Sequence, residues 1–269
     1  MRGTNVSSLE VRDLGVSFGG VRAVDGVTLT VAEGTLTGLI GPNGAGKTTL
    51  LDACTGFVSA RGQVYLSGER VDGLPPYRRA RRGLVRTFQS LDLFDDLTVA
   101  GNVAAGMPSA TPRRWWHQLR RMPTADAPAV RDALRTVGLA DSGNLFPGQL
   151  SQGRRALVAL ARALVAEPGI LLLDEPAAGL DTHESEELGA LLEAIRDRGT
   201  TLFLVEHDMG LVLGHCDHVH VLDGGRLLAS GTPEEIRNNA DVRAAYLGEA
   251  HGDETEAAVP AGHDEERVM

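Results

Sequence analysis

Lysine is almost missing from this chain of 269 residues: of its 26 basic side chains only Lys47 is a lysine, and the others are arginine. Arginine supplies a planar fork and lysine a compact ammonium on a flexible stem, so the exception is either a chance survivor or a place where the second chemistry is wanted. Cysteine is limited to Cys54 and Cys216, far apart in sequence, which excludes a disulfide framework and a zinc spacing and reads as two small buried side chains. No hydrophobic run approaches the roughly 18 residues of a membrane helix. Residues 1–10 are too polar for a signal peptide, so the chain is expected to stay in the cytosol unless a partner holds it. A net charge of −10 weighs against nucleic acid as a partner, because that affinity rests on neutralising phosphates. One basic run, Arg78, Arg79, Arg81, Arg82 and Arg86, reads as a solvated helical face or as a binding patch.

What is present suits a large α/β domain, with or without an inserted subdomain: the chain is 42% hydrophobic. Residues 8–31 alternate apolar and polar around Gly19 and Gly20, predicting two strands joined by a turn. Residues 35–40 predict a short strand, 47–55 a helix and 63–66 another strand. The segment 92–166 differs in character, with helical stretches, prolines, an irregular excursion near 111–128 and the pair Trp115 and Trp116, and predicts an inserted helical subdomain. The apolar run 169–174 reads as a strand buried on both faces. A helix follows over 182–198, with Leu188, Leu191, Leu192 and Ile195 on one face and Gly199 as its stop. Then come a strand at 201–206, a further helix, and a hairpin of 218–222 with 226–229 turning at Asp223, Gly224 and Gly225. Alternating strands and helices imply a mainly parallel sheet. The acidic stretch 249–269 has hardly any large apolar residue and predicts a disordered tail.

The lone lysine lies in GPNGAGKT, residues 41–48, between a strand and a helix. That is the pattern of a phosphate-cradling loop: glycines admit backbone N–H groups to phosphate oxygens, Lys47 reaches the outer phosphates, and Thr48 offers a hydroxyl to magnesium. Asp174 closes an apolar strand, where it could hold hydrated magnesium. Glu175 comes next and could orient and activate water in line with the leaving phosphate. His207 ends the following strand, where an imidazole could touch the terminal phosphate; the other histidines read as structural. Gln89 carries an amide suited to sense magnesium and the attacking water.

Taken together these residues resemble the ATP-binding subunits of ABC transporters over roughly residues 9–248. LSQGR, residues 150–154, resembles that family's signature. The resemblance implies an α/β fold with a RecA-like P-loop NTPase core (about 9–91 and 167–248), N-terminal antiparallel strands and a helical insertion (about 92–166). It implies ATP and Mg2+ as cofactors, with nucleotide contacts from Phe18 against adenine, from Gly41, Pro42, Asn43, Gly44, Ala45, Gly46, Lys47, Thr48 and Thr49, and from Asp181 in the segment 179–181. Ser151 and Gly153 would cap the γ-phosphate of an opposite subunit. Phe18 could instead be a strand core residue. FGGVRAVDGV, RTFQSLDLFDDLTVAGNV, LLLDEPAAGLDTHE and the stretch from Val205 to Ile236 are most similar to the ATPases of branched-chain amino acid importers. That implies permease subunits, a second ATP-binding subunit and an extracytoplasmic solute-binding protein as partners, at the cytoplasmic face of the membrane. An exporter ATPase or a non-transport ATPase of the same family is the alternative. Arg154 stands where the signature usually ends in glutamine, and 155–159 lack the glutamine and arginine pattern of the importer subgroup. Arg154 either adds charge near phosphate or lies on the helix surface.

Overall fold

A hairpin of long strands begins the described chain, β1 (Ser7–Phe18) with β2 (Val21–Ala32). The computed structural model describes residues 7–88, 92–108 and 127–249. β4 (Arg61–Leu66) pairs antiparallel with the other edge of β1, and β5 (Glu69–Arg70) completes a four-stranded antiparallel sheet. A six-stranded sheet contains β3 (Leu36–Ile40), β6 (Leu84–Arg86), β7 (Ile170–Asp174), β8 (Thr201–Val205), β9 (His218–Asp223) and β10 (Arg226–Gly231), in the order β10-β9-β3-β8-β7-β6. All its pairings are parallel except the β9–β10 hairpin.

The pleat explains why β3, β7 and β8 read as unbroken apolar runs. Successive side chains face opposite sides of a sheet, and both sides are covered. Leu171, Leu173, Leu202 and Leu204 pack into one cluster, while Leu172, Phe203 and Val205 pack into a second. The second lies against the antiparallel sheet and α1 (Lys47–Thr55), with Val11, Leu29, Leu50 and Leu51. The first gathers the helices α3 (Val99–Ala105), α4 (Pro128–Thr136), α5 (Gln152–Leu164), α6 (Thr182–Asp197) and α7 (Met209–His215), through residues such as Val103, Leu134, Val158, Leu192 and Val212. α6 buries Leu188, Leu192 and Ile195 on one face, and Gly199 ends it at φ 98°. The chain then closes through α8 (Pro233–Asn238) and α9 (Ala240–Glu249). Trp115 and Trp116, and the acidic stretch from 250 onward, lie outside the described residues. Cys54 and Cys216 are buried free thiols.

The basic run corrects its reading as a solvated face. Its helix, α2 (Pro76–Ala80), is only five residues long. Arg79 is 4% exposed and donates to the carbonyls of Ala53, Cys54, Asp72 and Leu74, so it caps the C-terminal end of α1. The Arg86 side chain is also buried and ion-paired. Arg78, Arg81 and Arg82 are exposed.

His220 belongs to the fold as well. Its Nε2 lies 3.0 Å from the carbonyl of Thr30, an acceptor only, so Nε2 carries the proton and Nδ1 accepts from the Ser230 hydroxyl at 2.9 Å. Burial pushes this imidazole down to about 4. Below the ordinary histidine range near 6.5 the unfolded chain therefore takes up a proton that the folded chain refuses, and stability falls as the pH drops toward 4. The expected loss is up to about 3 kcal/mol over that window. Urea unfolding from pH 7 to pH 4 should show a shallower decline for His220→Gln than for the parent, and equal slopes would contradict the assignment.

Candidate nucleotide site

Strand register brings the chemistry to one edge. Leu39 of β3 and Asp174 of β7 both pair with Val205 of β8, so the three strands end level. Beyond that level come Gly41, Glu175 and His207, with β8 between the other two strands. In open parallel sheets the C-terminal edge is where ligands bind.

The loop after β3 is held by carbonyls that leave no room for side chains. A Cβ on Gly41 would sit 2.1 Å from the Leu222 carbonyl oxygen, and one on Gly46, at φ 97°, would sit 2.2 Å from that of Ala23. Backbone bonds staple the same segment: Gly225 donates to the Ala45 carbonyl at 3.0 Å, and Asp25 to that of Gly225 at 2.8 Å. α1 then starts with Gly46 as its N-cap, with no capping side chain and no acidic residue in its first turn. The first amides of that helix, with its dipole behind them, form an anion site. Lys47 is buried, and its ammonium donates to the carbonyls of Gly41 at 2.6 Å and Pro42 at 3.0 Å. Asn43, Gly44 and Thr48 are exposed, Pro42 and Thr49 half-buried, and Ala45 buried.

Asp174 is 3% exposed, and its Oδ2 accepts from Arg86 Nη2 at 2.8 Å. Its other oxygen, Oδ1, is buried with no hydrogen-bond partner among the described residues. A buried acceptor left over in this way fits a metal-bound water, and a single carboxylate plus a hydroxyl is the sparse donor set that magnesium takes beside phosphates. At Glu175 the backbone leaves the strand with φ 48°, in the left-handed region that costs a non-glycine residue about 1–3 kcal/mol, while its N–H still bonds the Val205 carbonyl at 2.9 Å.

Glu206 was missed from sequence. It is fully buried after β8, and its carboxylate accepts from the amides of Ala177 at 2.8 Å and His207 at 3.2 Å. Burial pushes its carboxyl above the usual range, the two amide bonds pulling the other way. It thus braces the loop after Glu175 against the loop carrying His207. An acidic residue closing an all-apolar strand was the available signal. His207 itself is 60% exposed, with Nδ1 3.7 Å from Glu206.

The remaining candidates lie elsewhere. Phe18, the last residue of β1, is 54% exposed, which rules out a strand core role. Ser151 caps α5 by accepting from Arg154 N–H, Gly153 follows in the first turn, and Arg154 is exposed on the helix. A Cβ on Gly153 would meet Leu180 and Glu184 at 3.1 Å, so the start of α5 packs close to that of α6. Asp181 caps α6, accepting from the Glu184 amide at 2.8 Å while Glu184 accepts from its own. Gln89 lies outside the described residues.

A family model described as ABC transporter matches residues 24–178. The chain belongs to the ABC transporter family. A second model, branched-chain amino acid ATP-binding cassette transporter, matches residues 226–252. Among curated relatives, the high-affinity branched-chain amino acid transport ATP-binding protein BraF of Pseudomonas aeruginosa is 42% identical over 90% of this chain and 98% of its own length. The corresponding Escherichia coli protein LivG is 41% identical over the same shares. Among solved structures, the ADP conformation of an ATP-binding cassette of an ABC transporter superimposes with a TM-score of 0.80 at 28% identity, covering 90% of this chain and 99% of that one. A nucleotide-free cassette gives a TM-score of 0.79 at 30% identity, covering 89% and 98%. As a member of this family the chain is an ATP-binding cassette that hydrolyses ATP, built on the P-loop core expected from sequence.

The glycine geometry generates a test. Gly46→Ala would combine the contact with the Ala23 carbonyl at 2.2 Å with strain at φ 97°. Strain of ~1–3 kcal/mol in the loop should weaken ATP binding about tenfold or more. Titration with a fluorescent ATP analogue checks this, and an unchanged affinity would contradict the packing argument.

Proposed function

We propose that this ABC ATPase powers import of branched-chain or related amino acids, in complex with permease subunits, a second ATP-binding subunit and, in the assembled system, an extracytoplasmic solute-binding protein. The observation that carries the cargo class is likeness over nearly the whole length of the branched-chain amino acid relatives, joined by the model match at 226–252. No helix among the described residues is long and apolar enough to cross a membrane, which suits a peripheral subunit at the cytoplasmic face. A groove of about 640 Å3 lined by Arg81, Val85, Phe88, Pro108, Arg162 and Glu167 opens beside the strand that leads to Gln89. Phe88, at its edge, also meets exposed Phe57 edge-on, 5.5 Å between ring centres. In a chain so poor in aromatics, that surface supports docking of a permease segment.

Within the site, Lys47 and the amides of 44–48 hold the phosphates; Thr48 and Asp174, with Gln89, would hold Mg2+ through oxygen. When bound, the metal neutralises charge developing on the phosphates. Glu175 is the general base: its carboxylate takes a proton from the attacking water as that water lines up with the leaving phosphate. His207 contacts the terminal phosphate and keeps Glu175 and the water in register, with Glu206 bracing both loops. Phe18 stacks on adenine. Ser151 and Gly153 cap the phosphate held by the opposite subunit, with Asp181 near the interface, so turnover requires a dimer.

Two measurements follow. Glu175→Gln should bind ATP with near-parent affinity and dimerise, while turnover falls by a factor of about 10²–10⁴; near-normal turnover would remove Glu175 from this role. In the purified native complex, leucine, isoleucine or valine with the binding protein should stimulate ATPase activity. Stimulation only by unrelated solutes would overturn the cargo assignment.

A further inference from the structure

Arg86 ends β6, three residues before Gln89, with its side chain 4% exposed. Nη2 donates to Asp174 Oδ2 at 2.8 Å, Nη1 donates to Asp52 Oδ1, and the ring of Phe88 lies 5.0 Å from the guanidinium carbon. Asp52 belongs to α1, the helix that starts in the phosphate loop. One planar fork therefore joins the phosphate-loop helix, the end of the catalytic strand and the strand running on toward Gln89. Two further bonds tie the same strand ends: Thr87 N–H donates to the Leu172 carbonyl at 2.9 Å, and Asp174 N–H to Thr87 Oγ1 at 3.4 Å.

An unpaired buried carboxylate is free to rotate about its last torsion, which is broad for aspartate. Here one oxygen is fixed by a charge-assisted bond; a half-turn restores the same pair with the equivalent oxygen, and every intermediate orientation costs the ion pair, so the carboxylate plane is held with one oxygen left without a partner. Buried ion pairs contribute little net stability over apolar packing, so geometry is what this one supplies. Groups behind a metal ligand orient it in this way and tune its affinity.

We propose that Arg86 is a positioning residue for metal binding: it locks the Asp174 carboxylate so that Oδ1 faces the magnesium shell, and it ties that orientation to α1 through Asp52 and to the strand before Gln89. Arg86 touches neither nucleotide nor metal. This inference rests on the reading of Asp174 as the carboxylate behind the metal, and the test separates the two.

The full-length chain carrying Glu175→Gln, which suppresses turnover, is loaded with ATP, and Mn2+ affinity is read by electron paramagnetic resonance. ATP affinity is read separately in EDTA with a fluorescent analogue. Adding Arg86→Gln should weaken Mn2+ binding by about 10–100-fold, the usual effect of losing a group behind a metal ligand. Metal-free nucleotide affinity should stay within about twofold of the parent, because the loop amides are untouched. Arg86→Lys keeps the charge without the fork and should fall between the two. If Arg86→Gln does not fold, Arg86→Lys decides alone, with several-fold weaker Mn2+ binding expected. Parent-like Mn2+ affinity in the folded Arg86 variants, beside a clear loss in Asp174→Asn, sinks this inference only. Parent-like Mn2+ affinity in Asp174→Asn sinks the underlying reading. A parallel fall in metal-free nucleotide affinity would make Arg86 a general structural support and would also overturn the proposal.

Discussion

The loop from 41 to 48 passes between two backbone carbonyls, those of Leu222 and Ala23, that no side chain could share. This close approach sets the arrangement of the site, because backbone amides bind phosphate only if the backbone itself comes near. Ala23 belongs to the antiparallel sheet and Leu222 to the parallel one, so the loop is wedged where the two sheets meet. Hydrogen bonds from Gly225 to Ala45 and from Asp25 to Gly225 close the wedge. The β9–β10 turn, far from the loop in sequence, thereby helps hold the loop proposed to bind phosphate.

Parallel pairing then does the positioning that chemistry needs. Since Leu39, Val205 and Asp174 are in register, the first residues past each strand reach the same edge, where the proposed phosphate site would face the carboxylates. Charge at that edge is managed by two kinds of cation. The flexible ammonium of Lys47 hydrogen-bonds the loop carbonyls of Gly41 and Pro42 and can swing to a phosphate, while the rigid fork of Arg86 is consumed by the carboxylates of Asp52 and Asp174. The near absence of lysine from the chain is consistent with this division.

Much of the architecture was legible in sequence, for physical reasons particular to each element. Strands covered on both faces leave apolar runs such as 170–174, and the stop of α6 needs a left-handed residue at Gly199. The phosphate loop announces itself because its geometry tolerates almost nothing but glycine at 41 and 46. Arg79 and Arg86 were misread, since a run of arginines looks solvated unless their partners are known. Those of Arg86 lie 34 and 88 residues away. Glu206 escaped for the same reason: a buried carboxylate is defined by the amides it accepts from, and local sequence does not display them. Phe18 was ambiguous because an alternating strand predicts a side chain's face, whereas its exposure depends on where the neighbouring sheet ends.

The central claim is that the backbone amides of 44–48, together with Lys47, form the phosphate site beside Asp174 and Glu175. A crystal structure of the chain with Mg2+ and a non-hydrolysable ATP analogue tests it most directly. The account predicts the β- and γ-phosphates within hydrogen-bond distance of those amides, the Lys47 ammonium moved from the Gly41 carbonyl to phosphate oxygen, and the metal between Thr48 and a water on Asp174 Oδ1. Nucleotide bound elsewhere, or phosphates in that loop with Lys47 still on the carbonyls and no metal near Asp174, would contradict it.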